Sequence, residues 1–552
     1  MVNNCFDVRL GGGECRKVST PVINRCSGRI AIQRDLHCNL AALSRAVRGK
    51  EHLSDQRGAA YSYMKRFLLF LLLVTTCPPA RAQFLDAAFG HPYLQNTTSH
   101  SVTLVWWTRT DAPGTISFGN NDIKTSQQSQ PQRIVLTKPE SGGSEPRFRH
   151  AVRLQPLQPG SQYHYRVEQG TAVFDATFRT APATTLTPIR FLVWADTETE
   201  PASHGHLGAG VPEGYPMDQN DGIRACVAAA AEIEADFILL AGDVTECGGE
   251  LEDWDEFFRK VNDRANLLAA HTPIFAVPGN HDYYAGPHGG GYEQPGSERH
   301  AMHKFHSHFE LPTDERYYQF TWGPATIIGL DSCNQSPNES ELDTNFALTG
   351  ENEPGGGRAP NLTPESQQYR WLKTTLAAAQ KRSPFIFVFF HHMPFGSGVH
   401  SLLPGRGDGQ DWQSGYPLRR LDPLFHHYGV DAVFCGHEEM VEMAETHGVN
   451  AKGAAHKIRY FTPGSAGDGM RSARIDNDAQ VFHYGNTAIG QHYGFLDITI
   501  GPASGQARIW RATIRQAWID PSWAKDPAVP PLGGYYDAEV PTARYEIEKA
   551  AP

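Results

Sequence analysis

Ile274-Phe275-Ala276-Val277-Pro278-Gly279-Asn280-His281-Asp282 decides how this chain is read. An apolar run short enough for a buried strand is broken by Pro-Gly, and an amide, an imidazole and a carboxylate follow at once. The same pattern recurs along the chain. Ile189 to Ala195 precedes Asp196-Thr197-Glu198, and Phe237 to Ala241 precedes Gly242-Asp243-Val244-Thr245-Glu246. Phe385 to Phe390 precedes His391-His392-Met393-Pro394, and Ala432 to Cys435 precedes Gly436-His437-Glu438-Glu439. Helical stretches lie between them, at Asp221 to Ala235, Leu251 to Ala270, Pro364 to Gln380 and Leu418 to Tyr428. Strands alternating with helices are the order of an α/β domain. In open α/β sheets, ligands bind beyond the carboxyl ends of the strands. Five loops are therefore expected to bring carboxylates, an amide and imidazoles to one crevice. That mixed oxygen and nitrogen set suits hard-to-borderline metals and not thiolate-binding ones. A bridging carboxylate can hold two ions roughly 3.5–4 Å apart.

Taken singly, each cluster has an ordinary explanation. Asp243 after a glycine can cap a helix, Asn280 can sit in a turn, and His391 or His392 can be a packed core histidine. Five clusters in this order, each after an apolar strand, outweigh those explanations.

Working outward, residues from about 87 to 182 read as all-β. Ser101 to Trp106, Tyr163 to Val167 and Ala176 to Arg179 alternate at period two, with turn residues such as Gln158-Pro159-Gly160 between strands. Several short strands over about 100 residues suggest a small sandwich. Ile458 to Thr462, Gly494 to Ile500 and Ala507 to Ile514 read as closing strands, and Pro527 to Pro552 has no assigned packing. Pro201 to Asn220 and Asn334 to Pro360 read as long loops, which in a compact domain are functional or disordered.

The amino-terminal part differs. Met64-Lys65-Arg66, an apolar run from Phe67 to Val74 and Ala80-Arg81-Ala82 make a secretory signal with cleavage after Ala82. The run is too short for a membrane span, which needs about 20 apolar residues. Residues 1–63 precede a segment that normally begins a chain, and are set aside as a non-native extension or disordered stretch. The chain has 552 residues, 49 Lys+Arg and 60 Asp+Glu; without the 13 basic and 5 acidic residues of 1–82, 36 and 55 remain, a net of −19. Such an acidic surface argues against nucleic acid binding. A secreted or periplasmic location is expected.

Of nine cysteines, Cys226, Cys247, Cys333 and Cys435 lie beyond residue 83, with no C-x-x-C. One or two disulfides fit an oxidising compartment, and four cysteines allow three full pairings. Asn96, Asn334, Asn338 and Asn361 head glycan-acceptor triplets. His300, His303, His306 and His308 fall in a helix before Leu311-Pro312 and read as solvated positions.

The order of these motifs resembles the calcineurin-like metallophosphoesterases, and more closely the purple acid phosphatase type. Supporting pieces are Pro92-Tyr93-Leu94, Phe178-Arg179-Thr180-Ala181-Pro182, Leu330-Asp331-Ser332 and Gln368-Tyr369-Arg370-Trp371-Leu372. The resemblance implies an α/β (α+β) sandwich of mixed sheets flanked by helices over 187–515, preceded by a small all-β fibronectin-III-like domain over 83–182 and followed by a tail, 516–552. It implies that Asp243 bridges two metals, that Asn280, His392 and His437 complete one site, and that Asp196 serves the other. His392 is preferred to His391 because the family motif is His-x-Pro, and because strand alternation turns His391 away. His281, grouped with Asp282, matches the catalytic position that contacts the phosphoryl group and protonates the leaving oxygen.

The second metal site departs from the resemblance. The redox-active purple enzymes place a tyrosine where this chain has Glu246, so no purple chromophore is expected. Related enzymes place histidines where this chain has Glu198 and Glu439. The first site suits Fe, Zn or Mn. The second, built from Asp196, Glu439 and one of Glu198 or Glu246, suits Fe, Mn, Mg or Ca. The implied function is hydrolysis of small phosphate monoesters by a metal-bound hydroxide. A phosphodiesterase or nucleotidase is one alternative, and a non-catalytic binding protein with a degenerate metal site another. Oligomeric state and natural substrate are not legible.

Overall fold

The computed structural model describes residues 90–137, 144–201, 206–207, 216–217, 219–263, 265–284, 297–313, 316–333, 340–346, 348, 361–469, 471, 481–483, 492–504, 506–524, 526, 528–538 and 543–551. The signal-like segment 64–82, residues 1–63 and most of the two long loops lie outside them.

Eight strands build the first domain: β1 (Tyr93–Gln95), β2 (Val102–Thr108), β3 (Thr115–Gly119), β4 (Thr125–Gln128), β5 (Gln132–Thr137), β6 (Ser144–Leu154), β7 (Gln162–Gln169) and β8 (Ala172–Arg179). They form two antiparallel four-stranded sheets, β1-β2-β6-β5 and β4-β3-β7-β8. In β7, Tyr163, Tyr165 and Val167 alternate inward while Gln162, His164 and Glu168 face water, the period of a half-buried strand. β2 is buried along its whole length because both its faces are covered. Val102, Leu104 and Trp106 point into the sandwich. Val105 and Trp107 join a core that belongs to the following domain.

The second domain stacks two seven-stranded mixed sheets. Its strands are β9 (Ile189–Trp194), β10 (Phe237–Ala241), β11 (Ile274–Val277), β12 (Tyr318–Trp322), β13 (Ala325–Gly329), β14 (Phe385–His392), β15 (Ala432–Gly436), β16 (Val441–Val449), β17 (Ala455–Pro463), β18 (Val481–His483), β19 (Gly494–Ala503), β20 (Gln506–Ile519), β21 (Leu532–Tyr535) and β22 (Arg544–Ala550). One sheet runs β11-β10-β9-β19-β20-β21 with β22 also on β20, and the other runs β12-β13-β14-β15-β17-β16-β18. Phe191 of the first sheet lies 5.8 Å from Phe387 and 6.4 Å from Phe434 of the second, ring centre to ring centre. An aromatic layer thus fills the space between the sheets.

The helices are α1 (Gln219–Ala231), α2 (Leu251–Val261), α3 (Leu268–His271), α4 (Ser297–His308), α5 (Gln367–Arg382) and α6 (Asp422–Tyr428). The helix expected over 251–270 is broken. Asp263 Oδ1 accepts from the amides of Ala265 (2.7 Å) and Asn266 (2.9 Å), and Leu267 is left-handed at φ 47°. This local side-chain bonding competes with the helical ladder. α5 begins at Gln367 because the Ser366 side chain caps it, accepting from Tyr369 N at 3.2 Å.

Other parts of the chain differ from, or add to, the sequence reading. The packing of the C-terminal segment, open from sequence, is set by the sheet: β20 runs to Ile519, and β21 and β22 both pair with it. β16, a full-length hairpin partner of β17, is not marked by an apolar run. The four cysteines beyond residue 83 are buried and form no disulfide among the described residues. His308 is not solvated. It is buried, stacks on Trp254 at 5.2 Å and on Phe258 at 5.4 Å, and burial pushes its imidazole down to about 3. No described helix is long and apolar enough to cross a membrane.

Candidate metal centre

The loops leaving β9, β10, β11, β14 and β15 converge, as the strand-end pattern requires. Asp196, Asp243, Asn280, His391, His392, His437 and Glu439 are all at most 3% exposed. The backbone there is unusual. Asp196 (φ 52°), Glu198 (φ 36°), Asp243 (φ 49°), His437 (φ 75°) and Glu439 (φ 47°) all adopt the left-handed region. Non-glycine residues there cost of order 1–3 kcal/mol each and cluster where function over-determines the conformation. At Gly279 a Cβ would meet Asp243 Oδ1 at 2.1 Å, so only glycine lets the two loops close on each other.

His391 is the centre of the first constellation. Its Nε2 lies 2.8 Å from Asn280 Oδ1, 3.0 Å from Asp243 Oδ2 and 3.1 Å from His437 Nδ1. Its Nδ1 lies 2.9 Å from the carbonyl of Ala241, and His437 Nε2 lies 2.6 Å from the carbonyl of Gln413. A carbonyl only accepts, so each imidazole carries a proton on its outer nitrogen. The inner nitrogens are then free to act as ligands once no proton is held there, the arrangement that orients metal-binding histidines. Two imidazole nitrogens, an amide oxygen and a carboxylate oxygen thus meet within about one coordination shell. The donor set fits a borderline divalent ion.

His392, the expected ligand, is also buried at this centre: its Nδ1 lies 3.0 Å from Ser332 Oγ, its ring centre stands 4.5 Å from that of His437, and its buried Nε2 meets no polar atom of the described residues. Strict alternation fails because the β14–β15 register shifts between Phe389 and His392.

Asp282 is also placed differently from a group that touches substrate. Its carboxylate accepts from the backbone amides of Gly279 (2.9 Å) and Val244 (3.1 Å). It therefore ties the β10 loop to the β11 loop as a positioning residue. Burial, reinforced by Asp243, pushes it up to about 7.

His281 is partly exposed, with Nδ1 2.9 Å from the Glu246 carbonyl. Its backbone amide donates to Asp243 Oδ1 at 2.8 Å. Burial alone would lower it, but the Asp243 and Glu246 carboxylates raise it above its ordinary value. For Asp243 itself, burial is outweighed by His391 and His281, which hold it below the usual carboxylate range.

The second constellation is all oxygen. Carboxylate oxygens of Asp196, Glu198 and Asp243 lie within 4.8 Å of one another, as do those of Glu198, Glu439 and Asp468. Glu246 groups with Glu198 and His281 on its outer side. Burial, opposed by His391 and helped by Asp243, pushes Asp196 up to about 7. Burial and the neighbouring Asp468 and Glu439 carboxylates drive Glu198 well above its usual range. Like charges this close repel unless a cation sits among them.

Asp468, Arg471, His400 and Asp411 were not marked by the sequence pattern. Asp468 lies well beyond the end of β17 at Pro463, past the residues that directly follow a strand, so the strand-end pattern does not reach it. The loop between β14 and β15 contributes His400, whose ring centre stands 4.0 Å from that of His437.

A calcineurin-like phosphoesterase model matches residues 189–438, and a purple acid phosphatase N-terminal domain model matches residues 89–182. Acid phosphatase type 7 of Mus musculus is 26% identical over 304 residues, covering 53% of this chain and 56% of its own. Probable inactive purple acid phosphatase 27 of Arabidopsis thaliana is 22% identical over 352 residues, 60% of this chain and 48% of its own. The chain spans about half the length of the curated relatives it matches. The solved purple acid phosphatase PPD1 from yellow lupin (Lupinus luteus) seeds has the same fold, with a TM-score of 0.54 at 15% identity, covering 83% of this chain and 73% of that one. The chain thus carries a purple acid phosphatase N-terminal domain on the sandwich and a calcineurin-like metallophosphoesterase domain on the two stacked sheets.

Proposed function

We propose that this protein is an exported, metal-dependent phosphoesterase acting on small phosphate monoesters. The observation that carries the reading is the pair of imidazoles, His391 and His437. Each is fixed by a backbone carbonyl on its outer nitrogen; the inner nitrogen of His391 faces Asp243 and Asn280, and that of His437 lies 3.1 Å from it. Asp243, Asn280, His391 and His437 hold one ion, and Asp243 is shared with a second held by Asp196, Glu198 and Glu439. Bound ions supply Lewis acidity towards phosphoryl oxygens and acidify a water for in-line attack. The residues do the rest. Asp282 holds the β10 and β11 loops in register. His281 keeps its Nδ1 on the Glu246 carbonyl, which leaves Nε2 to donate a proton to the departing alcohol. The raised proton affinity of His281 supports that role.

Monoesters are favoured by the acid phosphatase relative, and export by the signal-like pattern of Met64 to Ala82. The test is hydrolysis of an aryl phosphate monoester and the matching diester, before chelation, after it, and after metal add-back. Monoester hydrolysis that disappears with chelator and returns with metal is expected. Hydrolysis indifferent to chelator, or of the diester alone, would reject the reading.

A second reading has its own motivation. Glu246 and Glu439 stand where the family supplies other ligands, and the Arabidopsis relative is named as a probable inactive phosphatase. Under it, the chain is a secreted binding protein with a degenerate site. Absence of hydrolysis in metal-replete protein would favour it.

A further inference from the structure

The loop after β17 delivers a carboxylate to the centre that no motif announces. Asp468 is 1% exposed, and its oxygen lies within 4.8 Å of those of Glu198 and Glu439. The backbone fixes it there. The amide of Asp468 donates to the Asp196 carbonyl at 3.2 Å, and Ser465 Oγ donates to the same carbonyl at 2.8 Å. The β17 loop and the β9 loop are therefore one framework, and Asp468 moves only if Asp196 moves.

Acidic residues side by side are common, so the case rests on the state of the neighbouring oxygens. Asp196 Oδ2 and Glu198 Oε1 are both buried and have no hydrogen-bond partner among the described residues. A buried carboxylate oxygen without a donor is costly. Asp196 and Glu198 group with Asp243, and Glu198 groups in turn with Glu439 and Asp468, so the two triads meet at Glu198. The positive charge nearby falls short of the demand. Arg471 Nη2 pairs with Glu439 Oε1 at 2.6 Å, while its Nη1 is 2.8 Å from His400 Nε2. His400 is in turn 3.0 Å from Asp411 Oδ2. His391 Nδ1 stands 3.9 Å from Asp196 Oδ1 and His281 Nδ1 4.0 Å from Glu198 Oε2, both beyond hydrogen-bond distance, so among the described residues no donor reaches Asp196 Oδ2 or Glu198 Oε1.

We propose that Asp468 is a ligand of the second ion, which Asp196, Glu198, Glu439 and Asp468 hold in an all-carboxylate site selective for a hard divalent cation such as Mn²⁺ or Mg²⁺. The inference rests on the two-ion reading above and deepens it. Oxygen-only sets favour these ions over Zn²⁺, which prefers nitrogen or sulfur. Arg471 offsets the excess negative charge by holding Glu439 from outside, so the site carries one acid more than the ion alone would tolerate.

The experiment is a Mn²⁺ titration of the chelator-treated full chain, following the signal of free aqueous Mn²⁺ by electron paramagnetic resonance. The wild type is expected to take up two equivalents. Asp468→Asn should keep one tight equivalent and lose at least about ten-fold in affinity for the other, on the scale seen when a metal site loses a supporting group. The retained equivalent reports that the variant is folded. If Asp468→Asn binds none, Glu198→Gln serves instead, with the same expectation. Two unchanged equivalents in Asp468→Asn would overturn the assignment, and so would a wild type that takes up a single equivalent. Two ions in the wild type, one in Asp468→Asn and no hydrolysis in either would sink the phosphatase reading and leave this inference standing.

Discussion

His281 carries the most exposed chemistry of the site. Its side chain touches no residue proposed to coordinate through an imidazole, and it reaches the Glu246 carbonyl through Nδ1. His281→Ala should therefore keep the metal content while lowering kcat by roughly 10²–10⁴-fold, the usual worth of a positioned general acid. Metal analysis beside steady-state kinetics checks both halves, and an unchanged kcat would remove His281 from the mechanism. At this scale the sequence was legible wherever a polar residue directly follows an apolar strand, which covers Asp196, Asp243, Asn280, His281 and His437. It does not separate His391 from His392. Two adjacent histidines at the end of one strand cannot be told apart by period-two alternation when the ladder shifts register between Phe389 and His392. Asp468 and Arg471 were hidden for a different reason. They reach the site through the loop after β17, and their closeness to Glu439 exists only in three dimensions.

At the scale of elements, the site is made by loops forced into close approach. Five left-handed non-glycine residues line it, and the strands behind them hold that strain. Gly279→Ala tests this directly, because the added methyl would stand 2.1 Å from Asp243 Oδ1 and 2.5 Å from the Asp243 amide. Backbone cannot yield as a flexible side-chain tip does, so the β11 loop must move. A loss of about 1–3 kcal/mol in stability is expected, as for other overpacked positions, together with weaker metal binding. Urea unfolding with and without Mn²⁺ measures both, and an unchanged midpoint would mean that the loops close less tightly than the geometry indicates. The apolar strands and the helices between them were readable because burial imposes a run or a period on them. β16 was not readable, since Glu442, Glu445 and His447 interrupt its hydrophobic pattern and its register comes from pairing with β17. The break near Asp263 depends on one side chain bonding its own backbone, which hydrophobic periodicity does not register.

For the whole molecule, the sandwich and the phosphoesterase domain share buried contacts and are not two beads on a linker. Arg147 meets Asp255 through two bonds, at 2.5 and 2.8 Å, with both side chains at most 10% exposed. Tyr93 OH donates to the His308 carbonyl at 2.9 Å, and Tyr165 OH to that of Ala270 at 2.9 Å. Removing one partner of a buried pair strands the other, at about 3–5 kcal/mol, whereas replacing both by apolar residues restores much of the loss. Arg147→Met should therefore lower the unfolding midpoint strongly, and Arg147→Met with Asp255→Leu should recover much of it. Equal loss in the single and double variants would show that the ion pair is not the cause. The two-domain order was legible from the change of period near residue 187, but this interface was not, because it joins residues more than 100 positions apart. The central claim is that an ion sits between His391, His437, Asn280 and Asp243. The most direct measurement is anomalous diffraction at the Mn edge from crystals of the full chain grown with Mn²⁺. The expected result is a peak at coordination distance, about 2.0–2.2 Å, from His391 Nε2 and His437 Nδ1. A peak bonded to His392 in place of His391, or no peak among these four side chains, would contradict the account.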